Sequence, residues 1–203
     1  MLLAFDTSTA ACTAALFDEN GACLARKDEV IGRGHSERLV PMIAELLDGR
    51  RPSGILVGTG PGSFTGIRVG IAAAHGLAIG WDVRLHGMSS LGLLAAGIDT
   101  NAPIAAAVVG GHGELFVQQF EGESLEPMGK IVSLRPEAAA GLLDAPIIVG
   151  SGAMQIVELR GWGEGIDALP TAADAMRLPA VLRLLDPKPV YARAPDARVR
   201  EAA

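Results

Sequence analysis

The sequence predicts an α/β protein made of two similar halves, the second shorter than the first. Three observations carry this reading. Short apolar runs of strand length alternate with longer helical runs. The order of elements starts again near Asn101. The 203 residues suffice for one large domain or two small ones.

Taken in order, residues 2–5, 12–17 and 22–28 read as three strands of an antiparallel meander, separated by a Thr/Ser turn and by Glu19-Asn20-Gly21. Ser36 is a candidate cap for a helix running to about Asp48, with Pro41 expected to bend or delay it. A buried strand at 55–57 leads into a Gly/Pro/Ser/Thr loop over 58–66, and a long helix follows over 67–80. Residues 83–86 read as a strand, and Ser89 or Ser90 can cap a helix through Ala96.

The second half repeats this order with strands at 104–109, 115–120 and 130–134, a helix at 136–143 and a strand at 147–149. Residues 150–171 are Gly-rich and give no clear element. A final helix is expected over 172–185, followed by a Pro/Arg/Ala tail over 186–203. The domains expected are thus 1–101 and a shortened 102–203 carrying the last helix and tail.

Composition narrows the function classes. The chain is 49% hydrophobic, which excludes disorder, yet no stretch approaches a membrane span. It opens on Met1-Leu2-Leu3-Ala4-Phe5-Asp6 with no basic leader, so a cytoplasmic location is expected. Cys12 and Cys23, on neighbouring strands, are expected to stay free. A net charge of −6 and 4% aromatic residues remove the driving forces for stand-alone nucleic-acid binding.

Two segments can carry chemistry. Asp6-Thr7-Ser8-Thr9 follows a buried strand; such a turn can aim N–H groups and hydroxyls at phosphates while the Asp holds a metal ion or its water. The plainer reading is a turn whose side chains bond their own backbone. The second segment, Gly58-Thr59-Gly60-Pro61-Gly62-Ser63-Phe64-Thr65-Gly66, joins strand to helix and could dock an anion at the helix start. It is neither a Walker loop nor a dinucleotide fingerprint. Asp6, Thr7, Ser8, Thr9, Gly60, Gly62 and Ser63 are therefore the candidate remnant of a nucleotide loop.

The strings FDTSTAACTAALFDENG, GHSERLVPMIAELL, GTGPGSFTGIRVGIAAAHGLAIG and MSSLGLLA, with PVYARAPDARV near the C-terminus, resemble the TsaB (YeaZ) family in order and spacing. The likeness covers nearly all of the first hundred residues and then thins. It implies an actin and sugar-kinase-like (ASKHA) fold. It also implies a subunit, without a reaction of its own, needed for threonylcarbamoylation of the adenosine beside the tRNA anticodon. In the family, catalysis belongs to the homologous subunit TsaD, and the ATPase TsaE is also required.

The resemblance thus implies pairing with TsaD, with TsaE in the complex, a homodimer when alone, tRNA reached only through the complex, and no membrane. No cofactor is expected to be held firmly, and ATP or ADP has a place only at the complex junction. TsaD carries a His-x-x-x-His metal pair shortly after the corresponding Gly-rich helix. Here His86 has no partner four residues on, and no two of His35, His75, His86 and His112 have that spacing, so neither a metal site nor a catalytic residue is expected. Where members commonly show Asp-Ala-Arg before Gly-Glu, this chain has Val109-Gly110-Gly111-His112, which lacks both the acid and the base.

A partner is also expected on physical grounds. The helix over 67–80 is apolar or small almost all round, with Arg68 and His75 its only charged or basic groups. Apolar residues of the helix after Ser36 span an arc of about 160°, wider than one core stripe needs. In the family these two helices make the interface, which makes Leu39, Ile43, Leu46, Ile71, Ala74 and Ala78 candidate contacts. The competing reading sandwiches both helices in the chain's own core. Two other functions stand as alternatives: an independent ATP-binding phosphotransferase or ATPase using Asp6, and a peptidase, for which no triad or metal motif is present.

Overall fold

The computed structural model describes residues 1–192. Two five-stranded sheets repeat one plan. In the first, β1 (Leu2–Asp6) is central, with the antiparallel meander of β2 (Ala11–Phe17) and β3 (Cys23–Val30) on one side. β4 (Gly54–Gly58) and β5 (Arg84–Met88) run parallel to it on the other side. In the second, β6 (Ile104–Val109) takes the central place, β7 (Leu115–Phe120) and β8 (Val132–Leu134) form the meander, and β9 (Ile147–Val149) and β10 (Glu164–Ile166) are the parallel pair. This doubled plan is the actin and sugar-kinase fold.

Strand alternation sets the layers. Leu3 and Phe5 point to one face of the first sheet, under α1 (His35–Leu47) and α2 (Phe64–Trp81). Ala4 and Leu56 point to the other face, where α3 (Ser90–Ala96) lies between the two sheets with all seven residues buried. Ile104, Ala106 and Val108 meet that central layer, whereas Ala105 and Ala107 face outward under α4 (Pro136–Leu142) and α5 (Ala153–Arg160). Each fully buried Leu or Phe contributes about 2–3 kcal/mol of transfer free energy. One core cluster, including Met88, Leu91, Phe120 and Leu182, joins both halves.

Several expectations are corrected. The single helix expected over 172–185 is a 3₁₀ turn, Ala172–Arg177, followed by the short α6 (Ala180–Arg183). Pro179 separates them, since it pushes Leu178 to an extended ψ of 136° and supplies no N–H. α1 starts at His35 after Gly34, whose φ of 94° only glycine adopts easily. Ser36 therefore does not cap the helix, and Pro41 sits within it. α2 begins earlier than expected, at Phe64, because Ser63 caps it by accepting the Gly66 N–H at 3.2 Å. The unassigned stretch over 150–171 holds α5 and β10. No described helix is long and apolar enough to cross a membrane.

Candidate functional site

The turn after β1 is closed against the chain itself. Asp6 is fully buried. Its Oδ1 accepts from the N–H and the hydroxyl of Ser8, both at 2.6 Å, and its Oδ2 accepts from the Ser90 hydroxyl. Ser90 in turn accepts the Gly60 N–H at 3.1 Å, tying the loop after β4 to the start of α3. The Ser63 N–H donates to the Ser8 carbonyl at 2.6 Å, and the Thr7 hydroxyl donates to the Gly66 carbonyl at 2.7 Å.

Four glycines are required by this closure. A Cβ on Gly58 would fall 1.8 Å from Asp6 Oδ2, and one on Gly62 would fall 2.1 Å from the Ser8 carbonyl oxygen. On Gly66 it would meet the Thr7 carbonyl oxygen at 2.0 Å, and on Gly70 the Thr7 hydroxyl at 2.6 Å. These contacts rule out side chains at all four positions. The Gly-rich run is therefore packed closely against residues 6–8. An Asp6-held metal with nucleotide phosphates does not fit, because both carboxylate oxygens are bonded and no part of the residue reaches solvent.

Beside this closed turn lies a cleft of about 960 Å³ between the two sheets. Of the candidate loop residues, Ser8, Thr9, Gly62 and Ser63 line it, whereas Asp6, Thr7 and Gly60 lie behind its wall. The tip between β6 and β7 closes the far side with Val109, Gly110 and Gly111. At the rim, the Arg68 guanidinium stacks 3.5 Å from the Phe64 ring centroid, and its Nε donates to the Tyr191 hydroxyl at 3.0 Å. This cluster could not be read from the sequence, because Arg68 and Tyr191 are 123 positions apart.

The family model described as TsaD, tRNA N6-adenosine threonylcarbamoyltransferase, matches residues 28–145. The tRNA threonylcarbamoyladenosine biosynthesis protein TsaB of Escherichia coli is 34% identical over 128 residues, an alignment spanning 59% of this chain and 54% of that protein. The protein of the same name from Haemophilus influenzae is 31% identical over 95% of this chain and 93% of its own. The chain belongs to the TsaB (YeaZ) family. The solved YeaZ structure from Pseudomonas aeruginosa superposes with a TM-score of 0.79 at 31% identity, covering 94% of this chain and 98% of that one.

In this TsaB-family chain the expected contact residues face inward. Leu39, Ile43, Leu46, Ile71 and Ala74 are buried in the core between α1, α2 and the first sheet, and Ala78 is partly buried against it. Their side chains take part in the chain's own packing. The outer faces hold other residues: Val40, Pro41 and Ala44 on α1, and Thr65, Ala72, Gly76, Ile79 and Gly80 on α2. Ile79 is 81% exposed. An added Cβ on Gly76 or Gly80 would meet nothing within 4 Å, so the fold of the chain gives no reason for glycine there.

Several other polar groups of the TsaB-family chain bond within the chain itself. His35 is buried with Nε2 3.2 Å from the Ala11 carbonyl oxygen, and His75 lies 3.4 Å from that of Pro187. Among the described residues no three His, Cys, Asp or Glu side chains gather as a metal site. Arg38 joins Glu29 and Glu45 across α1 and β3, and Lys27 also pairs with Glu45. Hydrogen bonds from Arg38 and then Lys27 hold the Glu45 carboxyl down at about 2. Burial pushes the Cys12 thiol up to about 11, while Cys23 is exposed. Of the terminal Pro-x-Tyr-x-Arg segment, Pro189 to Ala192 are described, and Arg193 with the rest of the tail lies outside the described residues.

Proposed function

We propose that this chain is a non-catalytic subunit that pairs with the homologous catalytic subunit TsaD for N6-threonylcarbamoylation of the adenosine next to the tRNA anticodon. TsaE joins the same complex, tRNA is reached only through it, and the isolated chain forms a homodimer. The single observation that carries pairing is the outer stripe of α2. Gly76 and Gly80 each cost about 1 kcal/mol of helix propensity relative to Ala, and nothing inside the chain requires them. Close approach of a second helix from another molecule supplies the reason, with Ala72 and Ile79 on the same stripe. The sealed Asp6 supports the absence of an independent phosphotransferase activity, and a nucleotide at the junction would have to be held by the partner's residues.

Size-exclusion chromatography of the chain mixed with the TsaD of its own source tests this. Gly76→Arg, on an exposed face, should leave the melting temperature within a few degrees while lowering association at least tenfold by wedging a charge into the contact. Equal co-elution of a folded Gly76→Arg variant would overturn the pairing surface. Magnesium-dependent ATP hydrolysis by the lone chain, lost in Asp6→Asn, would overturn the non-catalytic reading.

A further inference from the structure

The cleft between the sheets is one-sided in its chemistry. The chain carries 23 acidic residues against 17 Lys and Arg, yet among the described residues the cleft lining contains no carboxylate and a single charged group, Arg68. Arg68 makes no ion pair among the described residues. It is held in place without one: its plane lies 3.5 Å from the Phe64 centroid, and its Nε is committed to the Tyr191 hydroxyl at 3.0 Å. A guanidinium fixed by rings and lacking an acid keeps its Nη edge for an incoming anion.

Three hydroxyls of the lining have the same polarity. Thr9, Ser63 and Ser151 each accept one backbone N–H, from Ala11, Gly66 and Val109 respectively, at 3.2, 3.2 and 3.0 Å. None of the three donates to an acceptor among the described residues, so each retains an O–H to offer. Around them stand apolar walls, with Val108 and Phe116 from the second sheet and Leu169 from the loop after it. The volume of about 960 Å³ lies within the range of small-molecule sites.

We propose that this cleft binds a small organic anion with an apolar body, its carboxylate or phosphate on Arg68 and its hydrocarbon against Phe116 and Val108, without a metal ion. Holding a metal ion beside a phosphate would call for carboxylates, and among the described residues the lining has none. The ligand is instead an amphiphile whose charge is met by the guanidinium alone. This inference stands apart from the α2 stripe: Ala72, Gly76 and Ile79 do not line the cleft.

Fluorescence titration of the full-length chain with 8-anilinonaphthalene-1-sulfonate, an aromatic monoanion, tests it. Saturable binding is expected, weakened about tenfold by Arg68→Met, which keeps the side-chain stem but loses a charge-assisted contact. Phe116→Ala should weaken it from the apolar end. The uncharged parent, N-phenyl-1-naphthylamine, should bind the natural chain several-fold more weakly and ignore Arg68→Met. That comparison holds even if a variant folds poorly. Displacement by octanoate or by octyl phosphate assigns the head group as carboxylate or phosphate. Equal affinity for the charged and neutral probes, an unchanged affinity in a folded Arg68→Met variant, or failure of both competitors would each overturn the proposal.

Discussion

The two halves of this molecule share a strand plan and differ in what their first turn does. In the first half, the turn after β1 is zipped to the loop after β4 by Asp6, Ser8, Ser63 and Ser90. In the second half the corresponding turn after β6 stays open, with Val109 54% exposed and its N–H on the Ser151 hydroxyl at 3.0 Å. Helix length differs in step. α1 and α2 have 13 and 18 residues and so expose a full outer stripe, whereas α4 and α5 have 7 and 8 and little more than cover their sheet. A duplicated scaffold can thus seal the first turn of one half and leave that of the other as a cleft wall.

Glycine replacement should break this contrast most sharply. Gly66→Ala drives a methyl into the Thr7 carbonyl and should destabilise by about 3 kcal/mol or more. Gly141→Ala on α4 meets open space and should stabilise by up to about 1 kcal/mol. Urea melts of both variants check this, and equal midpoints would mean that the first turn is not zipped. Asp6→Ala leaves three buried donors of Ser8 and Ser90 unpaired, at a cost of about 3 kcal/mol, whereas its counterpart Val109→Ala should stay within about 0.5 kcal/mol.

Acid should separate the halves next. Glu45 has a depressed folded value, so its contribution is complete above the ordinary carboxylate range and is lost as pH falls through about 2. Glu29 is also lowered, first by its hydrogen bond from Arg38. Melting temperature should therefore fall with pH below about 4.5, and Arg38→Met should flatten that limb. An identical acid limb in the variant would remove the network from the account. The smallest effect is chemical. At pH 8 a disulfide reagent should modify Cys23 quickly and Cys12 only on unfolding, and rapid loss of both thiols in the native chain would contradict the burial of β2.

Much of this was legible in the residues. The unbroken apolar runs at 2–5, 55–57 and 104–109 placed the central strands within a residue or two, because a strand covered on both faces reads as a continuous apolar stretch. The segment over 150–171 was hidden by Gly150, Gly161 and Gly163, all at positive φ, which punctuate short elements that propensity alone does not reveal. The candidate site was half legible. Ser8, Thr9, Gly62 and Ser63 do reach the cleft, but Asp6, Thr7 and Gly60 lie behind it, and Arg68 with Tyr191 meets there only through the fold.

The local chemistry of the chain thus determined its strands, its glycine-dense turn and its family, since each depends on residues close together in sequence. Only tertiary structure decided which face of α1 and α2 is spent on the core, and whether Gly66 cradles an anion or a carbonyl of its own chain. The physical reason is that a glycine leaves a space without naming what fills it, and an apolar residue asks for cover without saying from where.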